Sequence, residues 1–151
     1  MYARYNRVVF RRARNLLGDE DAAADATHEV FLRLLRDGAS SAFDANPMAW
    51  LLRTTTNLCL NSLRDGRRRR ELTRVGEAAT ARNDADARVI LRSILKQIPA
   101  NLQDVAVNYY VDGRSQDEIA AIVGLSRRTV CNRLASFHAA VGKVLRPTLE
   151  E

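Results

Sequence analysis

The chain holds few of the side chains that most often build metal and redox centres: 2 histidines and 2 cysteines among 151 residues. Cys59 and Cys131 lie far apart in the sequence, so we predict reduced thiols of the cytosolic kind rather than a disulfide framework. His28 and His138 form no spaced pair with each other or with a cysteine, and His28-Glu29 lacks the second histidine of a zinc-binding helix. We therefore expect neither a metal nor a cofactor.

The short motifs of the common enzyme classes are absent as well. The sequence contains no P-loop, no glycine-rich dinucleotide turn and no serine elbow, and it offers no other cluster of catalytic side chains. These absences argue against an enzyme, including one that processes nucleic acids.

Long apolar runs are missing too. No run approaches the roughly 20 apolar residues that a membrane-spanning helix needs, and the N-terminal stretch MYARYNRVVFRR lacks the uninterrupted apolar core of a signal peptide. We expect a soluble, cytoplasmic protein that does not insert into a membrane.

Glycine and proline are scarce, with 7 and 3 residues, and they mark the junctions between segments of helical periodicity. No segment alternates apolar and polar residues for long, so strands are not predicted. The pattern predicts an all-α fold of two small helical domains. Residues 1–68 form the first domain, residues 69–86 a flexible linker with few large apolar residues, and residues 87–151 the second domain.

Three helices are predicted in the first domain. The first covers residues 2–17, with arginines between apolar residues at helical spacing and a glycine after its end. The second covers residues 22–36, and residues 39–46 are interpreted as a loop. A capping asparagine at position 46 and a proline after it begin the third helix, which continues to about Arg64. The second helix is predicted to turn inward Ala26, Val30, Phe31, Leu34 and Leu35.

The second domain is predicted to begin with a helix from about residue 87 that Pro99 stops, followed by a helix over residues 102–111. Residues 115–138, SQDEIAAIVGLSRRTVCNRLASFH, then follow the plan of a helix-turn-helix. Ser115 and Glu118 fit a capping box, a glycine at position 124 suits the turn, and a serine at position 126 caps the second helix. The face shared by the two helices is predicted to bury Ile119, Ala120, Val123, Leu125, Val130 and Leu134. Such a unit places polar side chains of its second helix in a DNA major groove.

The basic excess is concentrated in the first half of the chain. Within a net charge of +6, residues 1–70 carry 13 basic and 8 acidic side chains, whereas residues 99–151 carry 6 of each. Arginine dominates the positive charge, and a guanidinium pairs bidentately with phosphate. A phosphate-binding surface and an ordinary solvated basic surface both agree with this distribution.

Two groups of side chains in the first domain share helix faces. Asp25, Glu29 and Arg33 are spaced by four residues, which suits either a partner protein or a solvated row of ion pairs. The second group combines an aromatic plane, a cation and an amide, as single-stranded bases require. It contains Trp50, Arg53 and Asn57. The alternative for Trp50 is a place in the core.

With these motifs in place, the chain resembles a bacterial RNA polymerase sigma factor of the extracytoplasmic-function (ECF) group of the sigma-70 family. LLGDEDAAADATHEVFLRLL is similar to the polymerase-binding helix of the family's region 2, and PMAWLLRTTTNLCLNSLRDGRRRR to the following promoter-melting helix with its basic end. The segment ILKQIPANLQDVAVNYYVDGRSQDEIAAIVGLSRRTVCNRL is similar to region 4. The resemblance covers residues 2–70 and 90–145, and the two motifs in this order are specific to the family.

The resemblance implies four sets of contact residues. Docking on the clamp helices of the polymerase largest subunits is implied for Asp25, Thr27, Glu29, Phe31 and Arg33. Capture of a flipped base of the minus-ten non-template strand is implied for Phe43, Asn46, Trp50, Arg53, Asn57 and Arg64. Reading of the minus-thirty-five element in the duplex is implied for Ser126, Arg127, Arg128, Thr129, Asn132 and Arg133. Phosphate contacts are implied for Arg67, Arg68, Arg69 and Arg70, which by themselves suit a solvated linker equally well.

The resemblance further implies a protein that binds core RNA polymerase and directs promoter-specific transcription initiation in a stress or envelope response. The expected partners are the core enzyme, promoter DNA and an anti-sigma factor, and we expect a monomer when the protein is free. The alternative is a stand-alone helix-turn-helix regulator that binds duplex DNA without polymerase. Cys131 and His138 depart from the family, which often has lysine and arginine there, so two phosphate contacts are lost. His28 stands where the family most often has glutamine.

Overall fold

A computed structural model describes residues 1–37, 40–72, 87 and 90–149, with the backbone alone for residues 63–72 and 147–149. Within these ranges the regular elements are helices and no strand occurs, so the predicted all-helical fold is confirmed. From residue 73 onward the predicted linker lies outside the described residues, and the division into two domains at these boundaries stays a prediction.

The N-terminal half contains four helices, which are α1 (Tyr2–Leu17), α2 (Glu20–Asp37), α3 (Ser41–Ala45) and α4 (Pro47–Leu72). Helix α1 ends as predicted, because Gly18 adopts φ 72° and its N–H donates to the carbonyl oxygen of Arg14 at 2.8 Å. Only glycine adopts this left-handed conformation without steric cost. Helices α1, α2 and α4 pack against one another and enclose the core of this half.

Three features of this half differ from the sequence prediction. The expected loop over residues 39–46 contains α3, because the hydroxyl of Ser40 caps it by accepting the N–H of Phe43 at 3.2 Å. Helix α4 continues to Leu72 instead of ending near Arg64, which agrees with the high helix propensity of arginine. Leu35 is 77% exposed rather than inward, because it lies about 100° around the helix from its buried neighbour Leu34.

The C-terminal half begins with α5 (residues 90–96) and α6 (Ala100–Ala106). Pro99 separates these helices as predicted. The single helix expected over residues 102–111 starts earlier and changes to a π-helical turn, Val107–Val111, in which the N–H of Asp112 donates to the carbonyl oxygen of Val107 at 3.1 Å. Helices α7 (Gln116–Val123) and α8 (Arg127–Leu149) complete the half.

Each half has its own apolar core. In the N-terminal half, one cluster contains Val9, Val30, Phe31, Leu34, Phe43 and Leu51, and a second contains Ala13, Leu16, Ala23, Ala26 and Cys59. In the C-terminal half the cluster consists of Val105, Ile119, Val130 and Leu134. The halves also meet, since α1 contacts the π-helical turn and α4 contacts α7, and Val111 packs against the second N-terminal cluster. This contact brings polar residues of the two halves within hydrogen-bonding distance.

A search of the described helices for a stretch long and apolar enough to cross a membrane finds none.

The two cysteines have opposite surroundings. Cys59 is fully buried, and burial raises the pKa of its thiol to about 12. Cys131 is exposed on α8.

Because the thiolate is the reactive form, we predict that a thiol reagent at mildly alkaline pH modifies Cys131 quickly and Cys59 only after denaturation. The number of cysteine thiols that react with Ellman's reagent, and the rate at which they react, are measured with and without urea. Cys131→Ser should remove the fast phase, and a fast phase that survives it would contradict the buried position of Cys59.

Candidate nucleic-acid interface

The helix-turn-helix forms as the sequence predicts. Ser115 and Glu118 make the reciprocal capping box, in which the Ser115 hydroxyl accepts the Glu118 N–H at 3.2 Å and the Glu118 carboxylate accepts the Ser115 N–H at 3.3 Å. Gly124 adopts φ 71° in the turn. All six residues predicted for the shared face lie there, with Ile119 and Val130 fully buried. The two helices are therefore held at their angle by local caps and a small apolar core.

The beginning of α8 presents polar side chains outward. Ser126 caps the helix by accepting the N–H of Thr129 at 3.1 Å. Arg127, Arg128 and Asn132 are exposed, whereas Thr129 and Arg133 are half-buried. The ion pair of Arg127 with Asp117 is long, at 3.5 Å, and both side chains are about two-thirds exposed or more, 68% and 72%, so solvent screens it and leaves the guanidinium available. The six residues predicted to read duplex DNA thus share one end of one helix.

The residues predicted to hold a single strand are only partly accessible. Phe43 is buried, and its ring meets the half-buried ring of Trp50 edge to face, with 5.5 Å between centroids. Trp50 packs against the first N-terminal cluster, so it serves the core while keeping one part of its surface free. Asn57 is exposed. The side chains of Arg64 and of Arg67 to Arg70 lie outside the described residues.

Two residues of the predicted strand site contact the C-terminal half. The side-chain amide of Asn46 caps α4 by accepting the Ala49 N–H at 3.1 Å, and its Nδ2 donates to the carbonyl oxygen of Ile122 at 2.7 Å. Arg53 donates to the carboxylate of Asp104 at 2.8 Å. Burial raises the pKa of Asp104, and the Arg53 charge opposes that shift. Both side chains therefore have partners within the protein.

The face predicted to dock on polymerase lies on α2. The carboxylate of Glu29 accepts hydrogen bonds from Arg33 at 3.2 Å and Arg36 at 3.3 Å, and the bond from Arg33 lowers the pKa of Glu29. Asp25 is exposed beside them. Thr27 and Phe31 are instead buried, and the Thr27 hydroxyl donates to the carbonyl oxygen of Ala23 at 2.7 Å. These two side chains support the face from within rather than forming its outer surface.

Sequence reasoning missed Arg12, whose guanidinium makes more side-chain hydrogen bonds than any other side chain in the described part of the chain. Its guanidinium is 1% exposed and donates to the Asp112 carboxylate at 2.6 and 2.9 Å, to Asn108 Oδ1 at 2.6 Å and to the Leu52 carbonyl oxygen at 3.1 Å. Burial lowers the pKa of Arg12, and the Asp112 charge opposes the shift. A signal was present, because position 12 falls within the apolar stripe of α1.

That stripe contains Val9 and Leu16, which lie three and four residues from Arg12 on the same helix face, together with Ala13 next to Arg12, and all three are buried. An arginine inside an apolar stripe indicates a buried partner, yet the sequence does not say which carboxylate. The partner comes from the far half of the chain, so local spacing contains no information about it.

Among the described residues, no group of three or more histidine, cysteine, aspartate or glutamate side chains is arranged to hold a metal ion. The polar groups brought together at the contact between the halves are mostly arginines with carboxylate and amide partners. These contacts hold the halves together.

Comparison with known proteins places these features in context. The family model of Sigma-70 region 2 matches residues 1–69. The chain is 30% identical to the ECF RNA polymerase sigma factor SigL of Mycobacterium tuberculosis over 159 residues, an alignment that covers 100% of this chain and 88% of that protein. It is 25% identical to the ECF RNA polymerase sigma factor SigM of the same species, with 96% and 75% covered.

Solved structures with some likeness include the sigma factor RpoE in complex with the anti-sigma factor NepR from Bartonella quintana. The TM-score is 0.46 at 16% identity, and the match covers 96% of this chain and 94% of that one.

Proposed function

Because this chain belongs to the ECF RNA polymerase sigma factors, we propose that it binds core RNA polymerase and directs the enzyme to specific promoters. The observation that carries the proposal is the 30% identity to a sigma factor over 100% of this chain. The similarity includes both halves, whereas a stand-alone helix-turn-helix regulator would need only the C-terminal one. The protein acts by binding, and no bond is made or broken by it.

The beginning of α8 is proposed to read the minus-thirty-five element in the major groove. Arg127 and Arg128 are exposed there, and arginine bonds bidentately to guanine while asparagine bonds to adenine. Residues 99–151, which include α6 to α8, carry equal numbers of basic and acidic side chains, so this segment has little sequence-independent attraction for phosphate. It therefore depends on the polymerase to hold it against the duplex.

The N-terminal half is proposed to capture the opened minus-ten strand. Opening a duplex costs unstacking and unpairing energy, and a flipped base held in a protein pocket offsets part of this cost. The part of Trp50 that remains accessible supplies a stacking surface, and Asn57 and Arg53 supply an amide and a cation beside it. The arginine run over residues 67–70 adds phosphate contacts whose strength falls with salt.

The exposed part of α2 is proposed to dock on the polymerase clamp helices. Asp25, Glu29 and Arg33 offer both signs of charge on one face, and Glu29 already holds Arg33 and Arg36 in place. A groove of about 500 Å³ between α1 and α2, lined by Tyr2, Phe10 and Thr27 among others, borders this face. Family resemblance adds a cytoplasmic location, a monomeric free state and an anti-sigma factor that covers the polymerase-binding faces.

Reconstituted transcription tests the function as a whole. The protein is added to core polymerase from its own organism, and the transcripts started on genomic DNA are sequenced. We expect initiation at a small set of promoters that share minus-ten and minus-thirty-five elements. Failure to start transcription from any promoter, despite a folded protein and active core enzyme, would overturn the proposal. Tight binding of the protein alone to a palindromic duplex would favour the stand-alone regulator instead.

Removing one arginine tests the duplex-reading surface. We predict that Arg128→Ala weakens promoter binding by the holoenzyme by about 1–3 kcal/mol, the worth of one bidentate base contact, while core binding is unchanged. Arg146→Ala is the matched control, because it removes the same charge from the same helix about 27 Å away. Run-off yield against promoter concentration measures the effect. Equal losses in the two variants would show that only net charge matters.

Reversing one charge tests the docking face. We predict that Glu29→Lys lowers affinity for core polymerase at least about tenfold, or 1.4 kcal/mol, because it removes a carboxylate and places like charges beside Arg33 and Arg36. Glu20→Lys is the control, since Glu20 lies on the same helix with its side chain 74% exposed. Fluorescence anisotropy of labelled protein titrated with core enzyme measures both. If the two variants bind core equally well, α2 is not the docking face at this position.

A further inference from the structure

Helix α1 carries a row of positive charge that neither the apolar core nor the proposed contacts use. The helix contains five arginines and no acidic residue. Arg12 is buried, whereas the other four arginines are exposed. These four are spaced by three or four residues, so they share one side of the helix. They form the arginine row, which consists of Arg4, Arg7, Arg11 and Arg14.

The arginine row faces solvent along most of the helix. At about 100° per residue, its members fall within an arc of about 80° on the side opposite the buried Val9, Ala13 and Leu16. Its first and last members are ten positions apart, so the row is about 15 Å long. Along that distance one strand of a DNA duplex presents about four phosphates. The row therefore matches a phosphate backbone in its length and in its number of charges.

The protein itself engages the arginine row only weakly. Among the described residues, no carboxylate forms an ion pair with Arg4 or Arg7. Arg14 pairs with Glu20 at 3.5 Å, and both side chains are more than half exposed, so solvent screens this pair. Arg11 donates to one backbone carbonyl oxygen at 3.3 Å, which uses one of the five N–H groups of its guanidinium. Most N–H donors of the row therefore remain available to an external acceptor.

The spacing of the arginine row makes its members repel one another. Like charges three or four residues apart destabilise a helix, and the row contains three such neighbouring pairs in succession. Helix α2 shows the opposite arrangement, because the Glu29 carboxylate lies beside both Arg33 and Arg36. A partner with repeated negative charges would relieve the repulsion along α1. The charge pattern therefore favours a polyanion as the partner.

The surroundings of the arginine row distinguish between possible polyanions. A membrane surface requires an apolar helix face that can insert, but this face of α1 is buried in the core. A single nucleic-acid strand is held by aromatic rings on which its bases stack, and the arc of the row contains no aromatic residue. A duplex backbone requires only a series of donors, and a guanidinium binds phosphate bidentately. Duplex DNA is the partner that fits.

We propose that the arginine row binds the phosphate backbone of duplex DNA without reading its sequence. Binding releases counterions from the DNA, so the affinity falls as salt rises. Residues 99–151, which include the end of α8 proposed to read the duplex, carry equal numbers of basic and acidic side chains. The row adds the sequence-independent attraction that this segment lacks. Duplex binding by the row is independent of the proposed function, whereas its use at promoters rests on that function.

A double variant tests the arginine row. Arg4→Gln/Arg7→Gln removes two charges, and glutamine has nearly the same helix propensity as arginine. Lys143→Gln/Arg146→Gln is the matched control, because it removes two exposed cations with the same three-residue spacing from α8. Circular dichroism and the affinity for core polymerase establish that both variants are folded and dock normally.

The readout is the affinity of the protein alone for a fluorescein-labelled duplex of mixed sequence, measured by anisotropy at several salt concentrations. Each lost phosphate contact lowers the slope of log affinity against log salt by about 0.9. We therefore expect a decrease of about 1.8 in the α1 variant and much less in the control. Between 50 and 200 mM salt the wild type should lose about tenfold more affinity than the α1 variant. The holoenzyme on a promoter fragment should show the same decrease in slope.

Several results would overturn the proposal. A wild type that binds no duplex, or equal changes of slope in the two variants, would show that the row is only solvated charge. Labelled oligo(dT) and labelled polyglutamate should bind the wild type and the α1 variant alike. A loss for oligo(dT) as large as that for duplex would assign the row to a single strand, and an equal loss for polyglutamate would assign it to an acidic protein.

Two further outcomes separate the row from the proposed function. A slope that falls for the protein alone but not for the holoenzyme would overturn the use of the row at promoters. A wild type that supports no transcription would refute the proposed function, whereas duplex binding by the protein alone would still decide the role of the row. If the double variant does not fold, Arg7→Gln replaces it, with Arg146→Gln as its control, and should lower the slope by about 0.9.

Discussion

At the centre of the contact between the two halves lies one buried ion pair, Arg12 with Asp112. A guanidinium that is 1% exposed is stable only if its donors find acceptors, and those acceptors come from α4, from the π-helical turn and from the residue after it. The guanidinium bonds to all of these acceptors only when the three parts of the chain are correctly positioned at the same time. The pair therefore acts as a geometric constraint, because its hydrogen bonds require α4 and the π-helical turn to lie as they do here, while desolvation of the two charges offsets much of the free energy that their attraction gains.

The two proposed DNA contacts differ in how they relate to this constraint. The helix-turn-helix is built locally, from the capping box of Ser115, the left-handed Gly124 and the Ser126 cap. The face proposed to bind the strand is less local, because Asn46 and Arg53 take partners from the other half. The residues proposed to read the duplex thus lie within one half, whereas two of those proposed for the strand have hydrogen-bond partners in the other half.

The sequence predicted the structure correctly where interactions between residues close together in the sequence determine it. The beginning of α4, the end of α1 and the whole shared face of the helix-turn-helix follow from residues within four positions of each other. The prediction was wrong for Leu35, which lies one position from the buried Leu34 and is exposed. It was also wrong for the expected loop over residues 39–46, which contains α3 because Ser40 caps a helix there. Thr27 and Phe31 lie beneath the face proposed to dock on polymerase; their burial depends on the packing of α1 against α2, which periodicity indicates only approximately.

By itself the sequence determined the helical class, the caps, the helix-turn-helix and, through its similarity across both halves, the family. Only the tertiary structure decided that Arg12 is buried, that Asp112 is its partner and that Asn46 and Arg53 have partners in the C-terminal half. The physical reason is sequence separation. Hydrogen bonds and apolar contacts between residues a turn apart leave a periodic trace in the sequence, whereas an ion pair between positions 100 apart leaves none and appears only once the chain has folded.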